Sequence, residues 1–257
     1  MKCAFHRYAA ATLAATLMLA GCSQQGGAPA PSAAQQQAQA QAADAARNLD
    51  TYRQLLRINN DQMAVSMGHD IVSHYPDSAA AKEVQQSLPA IEKRYNENSE
   101  KSRLAALWIY QLSPMAGGTQ STATIYNSQP SGGVTSGGGV TSGGGDERVQ
   151  LVLRRHTSWG QSVFLYGSGH GFVCHGICSI ASTVDGKPVR LKVFAPPTGE
   201  PALMMHDDKA FIAMLQKASK ISMQVTLVDG EKKQTLVYEV AGFEPAKWAG
   251  LGKAKKK

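Results

Sequence analysis

The sequence has no hydrophobic run long enough to cross a bilayer as a helix and no strong excess of one charge. Its main apolar stretch, Ala9 to Ala20, is too short for a span. The net charge is +7, and four of the positive charges belong to the tail lysines Lys253, Lys255, Lys256 and Lys257. Lysine and arginine do not cluster with interleaved aromatic residues, as nucleic-acid-binding surfaces require, so we expect no nucleic-acid partner.

The sequence also lacks the motifs of common enzyme classes. Residues 167–171 do not form the Gly-x-Ser-x-Gly motif of hydrolases, because Tyr166 stands at the first glycine position. The same segment has the wrong spacing for a dinucleotide fingerprint. His156 with Asp207 or Asp208 would give a base and its orienting acid, but the spacing specifies no nucleophile. We therefore expect a non-enzymatic protein with no catalytic residues and no cofactor.

The sequence opens with a short basic segment followed by the apolar run, as a secretory leader does. The segment ends Leu19-Ala20-Gly21-Cys22, which resembles the lipobox of bacterial lipoproteins. The resemblance implies that residues 1–21 are a signal peptide and that Cys22 carries lipid such as palmitate. Two or three acyl chains hold a protein stably at a membrane. Ser23 after the anchor favours the periplasmic face of the outer membrane.

The next two segments differ in apolar content. Residues 22–46 are rich in Gln, Ala, Gly and Pro and predict a disordered tether. Residues 47–112 predict a helical domain, because apolar residues recur every three or four positions from Tyr52 to Tyr75. Asp77 or Ser78 would cap a second helix. Pro89 should break or restart that helix before a third one that includes Trp108.

The turn at residues 74–79 resembles that of a tetratricopeptide-type hairpin, although no second copy follows at a period near 34 residues. The helical part is therefore open to two interpretations. It is either a protein-binding module or a spacer that packs its own core.

Residues 117–248 predict an antiparallel β-sandwich-like domain with one helix, so the expected fold class is α+β. Apolar and polar residues alternate in 149–153, 189–193, 221–227 and 236–240, and the last two runs predict a hairpin. Asp207 or Asp208 would cap the helix. The Gly/Ser-rich segment 131–145 predicts a flexible loop within this domain, and residues 249–257 form a basic tail.

This β half resembles a widespread, poorly characterised bacterial envelope domain. The resemblance covers residues 117–245 and rests on the ordered segments Leu151-Val152-Leu153-Arg154, Gly171-Phe172-Val173-Cys174, Cys178-Ser179-Ile180, Val184-Asp185-Gly186, Asp207-Asp208 with Phe211, and Val240-Ala241-Gly242-Phe243. It is also distantly similar to the β-domains of type VI secretion accessory lipoproteins. The chain departs from the pattern in its short Cys-to-Cys loop and its glycine insertion. The resemblance implies no catalytic residues.

Cys174 and Cys178 predict a disulfide, because two strands joined by a three-residue loop would place them opposite each other in an oxidising compartment. Their spacing fits neither a Cys-x-x-Cys redox motif nor a haem attachment site. The alternative is a metal site. His170, Cys174, His175 and Cys178 are possible zinc ligands, and Met204, Met205 and His206 are possible Cu(I) ligands.

These observations favour a lipid-anchored, non-enzymatic binding or accessory protein of the envelope with an unidentified protein partner. One alternative is a periplasmic inhibitor or immunity protein of a cell-wall hydrolase, which would insert the 131–145 loop or the 167–178 region into the enzyme. Another is a metal-binding envelope protein. Trp248 near the chain end is a candidate for docking onto a partner, and Trp108 and Trp159 are candidates for the core or its boundary.

Overall fold

The computed structural model describes residues 32–128, 148–167 and 169–248. The signal peptide, Cys22, the 131–145 loop and the basic tail therefore lie outside the described residues. In the described part, three helices precede an antiparallel sheet of nine strands, which is the predicted α+β class. Within these residues no helix is both long and apolar enough to span a membrane.

The helical part consists of α1 (Ala33–Arg57), α2 (Asp61–His74) and α3 (Ala79–Ala106). Tyr52, Ile71 and Val84 from the three helices are buried in one shared core. Gly68 allows this close packing, because a Cβ atom there would lie 2.7 Å from the Leu88 side chain.

Three predictions for the helical part are wrong. Residues 33–46 are helical rather than a disordered tether, since Ser32 and Gln35 form a capping box that starts α1. The predicted helix from Tyr52 to Tyr75 is two helices, because Asn59 adopts a φ of 54° and Asn60 caps α2. Pro89 does not break α3. A proline removes one helical hydrogen bond, and the buried residues on both sides of it, Val84, Leu88 and Ile91, offset that loss.

The sheet part contains β1 (Ile109–Met115), β2 (Gly118–Tyr126), β3 (Gln150–His156), β4 (Gly160–Tyr166), β5 (Ile177–Val184), β6 (Lys187–Phe194), β7 (Ala202–Met205), α4 (Asp208–Leu215), β8 (Lys220–Thr226), β9 (Lys233–Glu239) and α5 (Pro245–Trp248). All pairings are antiparallel, in the order β1-β2-β3-β4-β7-β6-β5-β8-β9. The predicted helical domain therefore ends too late, because residues 109–112 belong to β1. The described sheet part has two α-helices rather than the predicted one helix, with Asp207 capping α4.

The sheet folds over one apolar core. The backbone N–H of Ser128, just after β2, donates to the carbonyl of Val237 in β9, 2.7 Å away. The Tyr238 hydroxyl donates to the carbonyl of Val149, and burial raises the pKa of this phenol. The ends of β2 and β3, near one end of the strand order, thus contact β9 at the other end across the core. The inner face is fully buried at Leu151, Leu153 and many similar side chains.

The helical and sheet parts meet at the end of α3. Arg103 of α3 forms an ion pair with Glu239 of β9. Gly242 lies so close to α3 that a Cβ atom there would collide with the main chain of Leu104 and Ala105. The Phe243 ring packs 5.0 Å from the Trp108 ring, which adds an aromatic contact at this junction.

Candidate functional site: an aromatic and arginine-bearing sheet face

The opposite face of the sheet, which we call the outer face, carries a row of mostly apolar side chains. Register determines this row, because directly paired residues project to the same side of a sheet. The paired positions from β1 to β5 are Ile109, Thr124, Val152, Phe164, Met204, Phe194 and Ile177. Only Val152 among them is buried, and Ile177 is 62% exposed. The row therefore crosses seven strands, with exposed residues at its two ends and half-buried or buried residues between them.

Aromatic residues extend this row along β3 and β4. Tyr166 pairs with Gln150, which in turn pairs with Tyr126, so the three side chains form a second row on the same face. Tyr166 is 42% exposed. Trp159, in the turn between β3 and β4, is 57% exposed and marks the far end of the face. Large exposed patches of this kind are typical of interaction surfaces.

Arg154 occupies the centre of the outer face. Its guanidinium carbon lies 5.2 Å from the Phe164 ring centroid and 6.0 Å from that of Trp159. Its Nε donates to the Ser162 hydroxyl at 3.0 Å, which fixes the plane of the group. Arg154 has no carboxylate partner among the described residues. The remaining guanidinium N–H groups are therefore oriented for a planar acceptor such as a carboxylate.

His156 supports the exposed tryptophan from below. Its ring stacks on Trp159 with centroids 3.8 Å apart, and its Nδ1 accepts hydrogen bonds from the backbone N–H groups of Ser158 and Trp159. Since Nδ1 is an acceptor in both bonds, a neutral ring carries its proton on Nε2. This atom is buried and has no hydrogen-bond partner in the described part of the chain. His156 thus orders the turn and places Trp159 on the outer face.

The predicted cysteine pair is at disulfide-bonding distance, with the Cα atoms of Cys174 and Cys178 5.8 Å apart. The expected local geometry differs in one respect. Cys178 lies in β5, but Cys174 lies in a loop rather than in a paired strand.

The candidate metal ligands do not converge. The pairing of Cys174 with Cys178 leaves neither thiol for zinc, and His170 pairs with Asp229 instead. Two hydrogen bonds from His170, one from its backbone and one from its ring, lower the pKa of the Asp229 carboxyl. Met204 and Met205 point to opposite faces of β7, as strand geometry requires. The described residues contain no group of three or more His, Cys, Asp or Glu side chains placed to hold a metal ion.

The other candidate residues also do not form a common site. Among the described residues, no hydrogen bond or ion pair joins His156 to Asp207 or Asp208. Asp207 caps α4, and Asp208 accepts a hydrogen bond from the Gln161 side chain. Trp248 is fully buried, with Arg155 stacked 3.7 Å from its ring centroid, so it is unavailable for docking. The exposed tryptophan is Trp159.

The outer face is the feature that sequence reasoning missed. Alternating residues of β3 include Val152, Arg154 and His156, and alternating residues of β4 include Phe164 and Tyr166. This alternation marks two strands with substantial side chains on both faces. It does not show that the two sets pair in register, because the partner positions lie in separate stretches of chain.

Comparisons with known proteins identify no family. No protein-family model matches the chain, and no curated protein matches it. Among solved structures, the chain is similar to invasion associated protein B from Bartonella henselae, with a TM-score of 0.32 and 15% sequence identity. The likeness covers 55% of this chain and 88% of that protein. A similarity this weak supports no conclusion about fold or function.

Proposed function

We propose that this chain is a non-enzymatic binding module that engages a protein partner through the outer face of its sheet. The observation that supports this most is the position of Arg154 between Phe164 and the exposed Trp159 on the outer face. Tryptophan, tyrosine and arginine are the residue types that most often carry binding energy at protein interfaces. The face combines all three with an apolar surround.

The chemistry of the face defines the partner surface that would fit it. The partner presents an Asp or Glu carboxylate to Arg154, flanked by apolar side chains that cover Trp159 and Tyr166. Burial between rings and a second protein would shield this ion pair from water, so it would contribute more than an exposed surface pair.

The proposal also includes a membrane anchor, which rests on residues 1–22. The lipobox resemblance at Leu19 to Cys22 supports a chain held by lipid at the periplasmic face of the outer membrane. The outer face would then engage another protein of the envelope. Mass spectrometry of the mature protein tests the anchor: a diacylated Cys22 is expected, and an unmodified terminus would contradict it.

Site-specific photo-crosslinking in cells tests the binding face. A benzoylphenylalanine at position 166 is expected to capture one reproducible, stoichiometric protein. The same group at position 101, which is exposed on α3, is the matched control and should not capture it. Capture from position 101 but not from position 166 would locate binding on the helical part and overturn the proposal.

A further inference from the structure

A separate cavity lies where the sheet opens beside α4. β7 ends at Met205, whereas β6 continues alongside the gap through Arg190 and Lys192. The cavity has a volume of about 380 Å³, within the size range of small-molecule sites. It is lined by β6, by the end of β7 and by α4, and it includes none of the aromatic residues of the outer face.

The floor of this cavity is apolar. Met205 and Phe211 line it and belong to the buried core, and Leu191 and Met214 line it from half-buried positions. An alkyl chain placed here would exchange water for thioether and hydrocarbon surface. Methionine side chains adapt readily to such chains.

The rim of the cavity carries two cationic side chains, Arg190 and Lys192, and His206 lines it beside them. Within the described residues these three side chains make no ion pair or hydrogen bond. Asp207 is the one acid in the lining. Its carboxylate already accepts the Ala210 N–H at 2.9 Å as the cap of α4.

The backbone of β6 adds a further donor. The carbonyl of Lys192 accepts from the N–H of His206, which shows that Lys192 directs its main chain toward β7. Since hydrogen bonding alternates along an antiparallel strand, the main chain of Arg190 points to the same side, beyond the end of β7. The cavity mouth thus combines two cationic side chains with a backbone N–H.

We propose that this cavity binds a single-chain alkyl carboxylate of medium length, with its chain over Met205 and Phe211 and its carboxylate at Arg190 and Lys192. A planar carboxylate suits the two-pronged guanidinium. The apolar floor selects against small hydrophilic anions. The cavity shares no lining residue with the aromatic and apolar rows of the outer face, so either proposal can fail without the other.

The first test is calorimetric titration of the full chain, purified as the Cys22→Ser variant so that no attached acyl chain requires detergent, with octanoate and decanoate in detergent-free buffer below their micelle concentrations. Each buried methylene strengthens binding about fourfold, so decanoate should bind about fifteenfold more tightly than octanoate. Decyltrimethylammonium, which has the same chain and the opposite charge, should bind at least tenfold more weakly than decanoate. Equal binding of these two decyl compounds, or no binding of either carboxylate, would overturn the proposal.

Two matched variants locate the site. Ala210→Phe fills the cavity from an exposed position on α4 and should weaken decanoate binding at least tenfold. Ala213→Phe places the same ring on an exposed position of α4 outside the lining and should leave binding unchanged. Circular dichroism confirms that both variants fold. Unchanged binding by folded Ala210→Phe would show that the ligand sits elsewhere.

A pair of double variants tests the role of the positive charge on the rim. Arg190→Gln with Lys192→Gln should weaken decanoate binding about tenfold but leave decanol binding unchanged, because the alcohol uses only the apolar floor. Lys187→Gln with Lys209→Gln removes two exposed charges outside the lining and should affect neither ligand. If both double variants weakened decanoate binding equally, the effect would come from net charge in general rather than from the rim. That result would contradict the proposal.

Discussion

The arginines of the helical part and those of the sheet part have different partners. In the helices, Arg53 pairs with Glu83, Arg94 with Asp61 and Arg103 with Glu100 and Glu239. In the sheet part, the arginines stack on aromatic rings: Arg148 on Tyr126, Arg154 on Phe164 and Trp159, and Arg155 on Trp248. Arg190 lines the cavity beside α4.

This difference separates charges used for structure from charges available for binding. An arginine that donates to a carboxylate on the next helix has its N–H groups occupied, and the pair holds the bundle in one arrangement. An arginine over an aromatic ring keeps N–H groups for another molecule. Arg53, Arg94 and Arg103 are thus engaged by carboxylates, whereas the arginines over rings in the sheet part have no carboxylate partner among the described residues.

The two tryptophans of the sheet part test this division most strongly. Trp248→Ala removes a fully buried side chain and should lower the free energy of unfolding by about 4 kcal/mol. Trp159→Ala removes an exposed ring and should cost about 1 kcal/mol or less. Urea denaturation measures both. Equal losses would mean that Trp159 is a structural residue rather than part of a binding face.

The junction between the two parts should be the next most sensitive position. Gly242→Ala would force the segment after β9 away from the main chain of α3, at a cost of about 3 kcal/mol. Gly199→Ala is the control: its φ of 77° disfavours alanine, but its Cβ would meet nothing within 4 Å, so about 1 kcal/mol is expected. Equal losses in denaturation would show that the two parts do not depend on this contact.

Acid should weaken the helical ion pairs slightly. Hydrogen bonds from Arg94 and Arg53 hold the pKa values of the Asp61 and Glu83 carboxyls below their usual range. Because the folded-state pKa values are depressed, these groups stabilise the fold above the unfolded pKa of about 4, and that stability is lost as the pH falls further. Both pairs are exposed, so the effect is small.

Urea denaturation from pH 7 to pH 3 measures this dependence. Asp61→Asn with Glu83→Gln should flatten the acid limb of the stability curve. Arg154→Gln on the outer face should leave the slope of that limb unchanged, because its partners are aromatic rings and a hydroxyl. An equal flattening by Arg154→Gln would mean that the sheet arginine also pairs with a carboxylate.

Local patterns in the sequence were sufficient to predict the fold class and several elements. The hairpin of β8 and β9 was predicted from alternation on both sides of Gly230, and the start of α3 from Ser78 as one of two possible caps. The predictions that failed depend on contacts between segments that are far apart in the sequence. Whether Pro89 ends a helix depends on the apolar residues that α1 and α2 bury against α3, and these contacts are remote in sequence.

The candidate site was harder to predict for the same reason. Trp159 in a turn and Trp248 near the chain end look equally available in the sequence. Burial of Trp248 depends on Arg155 above its ring and on Ser121, whose hydroxyl donates to the Trp248 carbonyl. Exposure of Trp159 depends on the His156 ring beneath it. These contacts are set by strand register, which no single segment specifies.

The most direct measurement is the affinity of the captured partner for Arg154→Gln and for Arg53→Gln, two variants that lose the same charge. Arg154→Gln should weaken binding about thirtyfold, equivalent to the 2 kcal/mol of an interface hot spot, with unchanged stability. Arg53→Gln should leave the affinity at the wild-type value, because its guanidinium is engaged by Glu83. Unchanged binding by Arg154→Gln, or an equal loss in both variants, would contradict the assignment of recognition to the outer face.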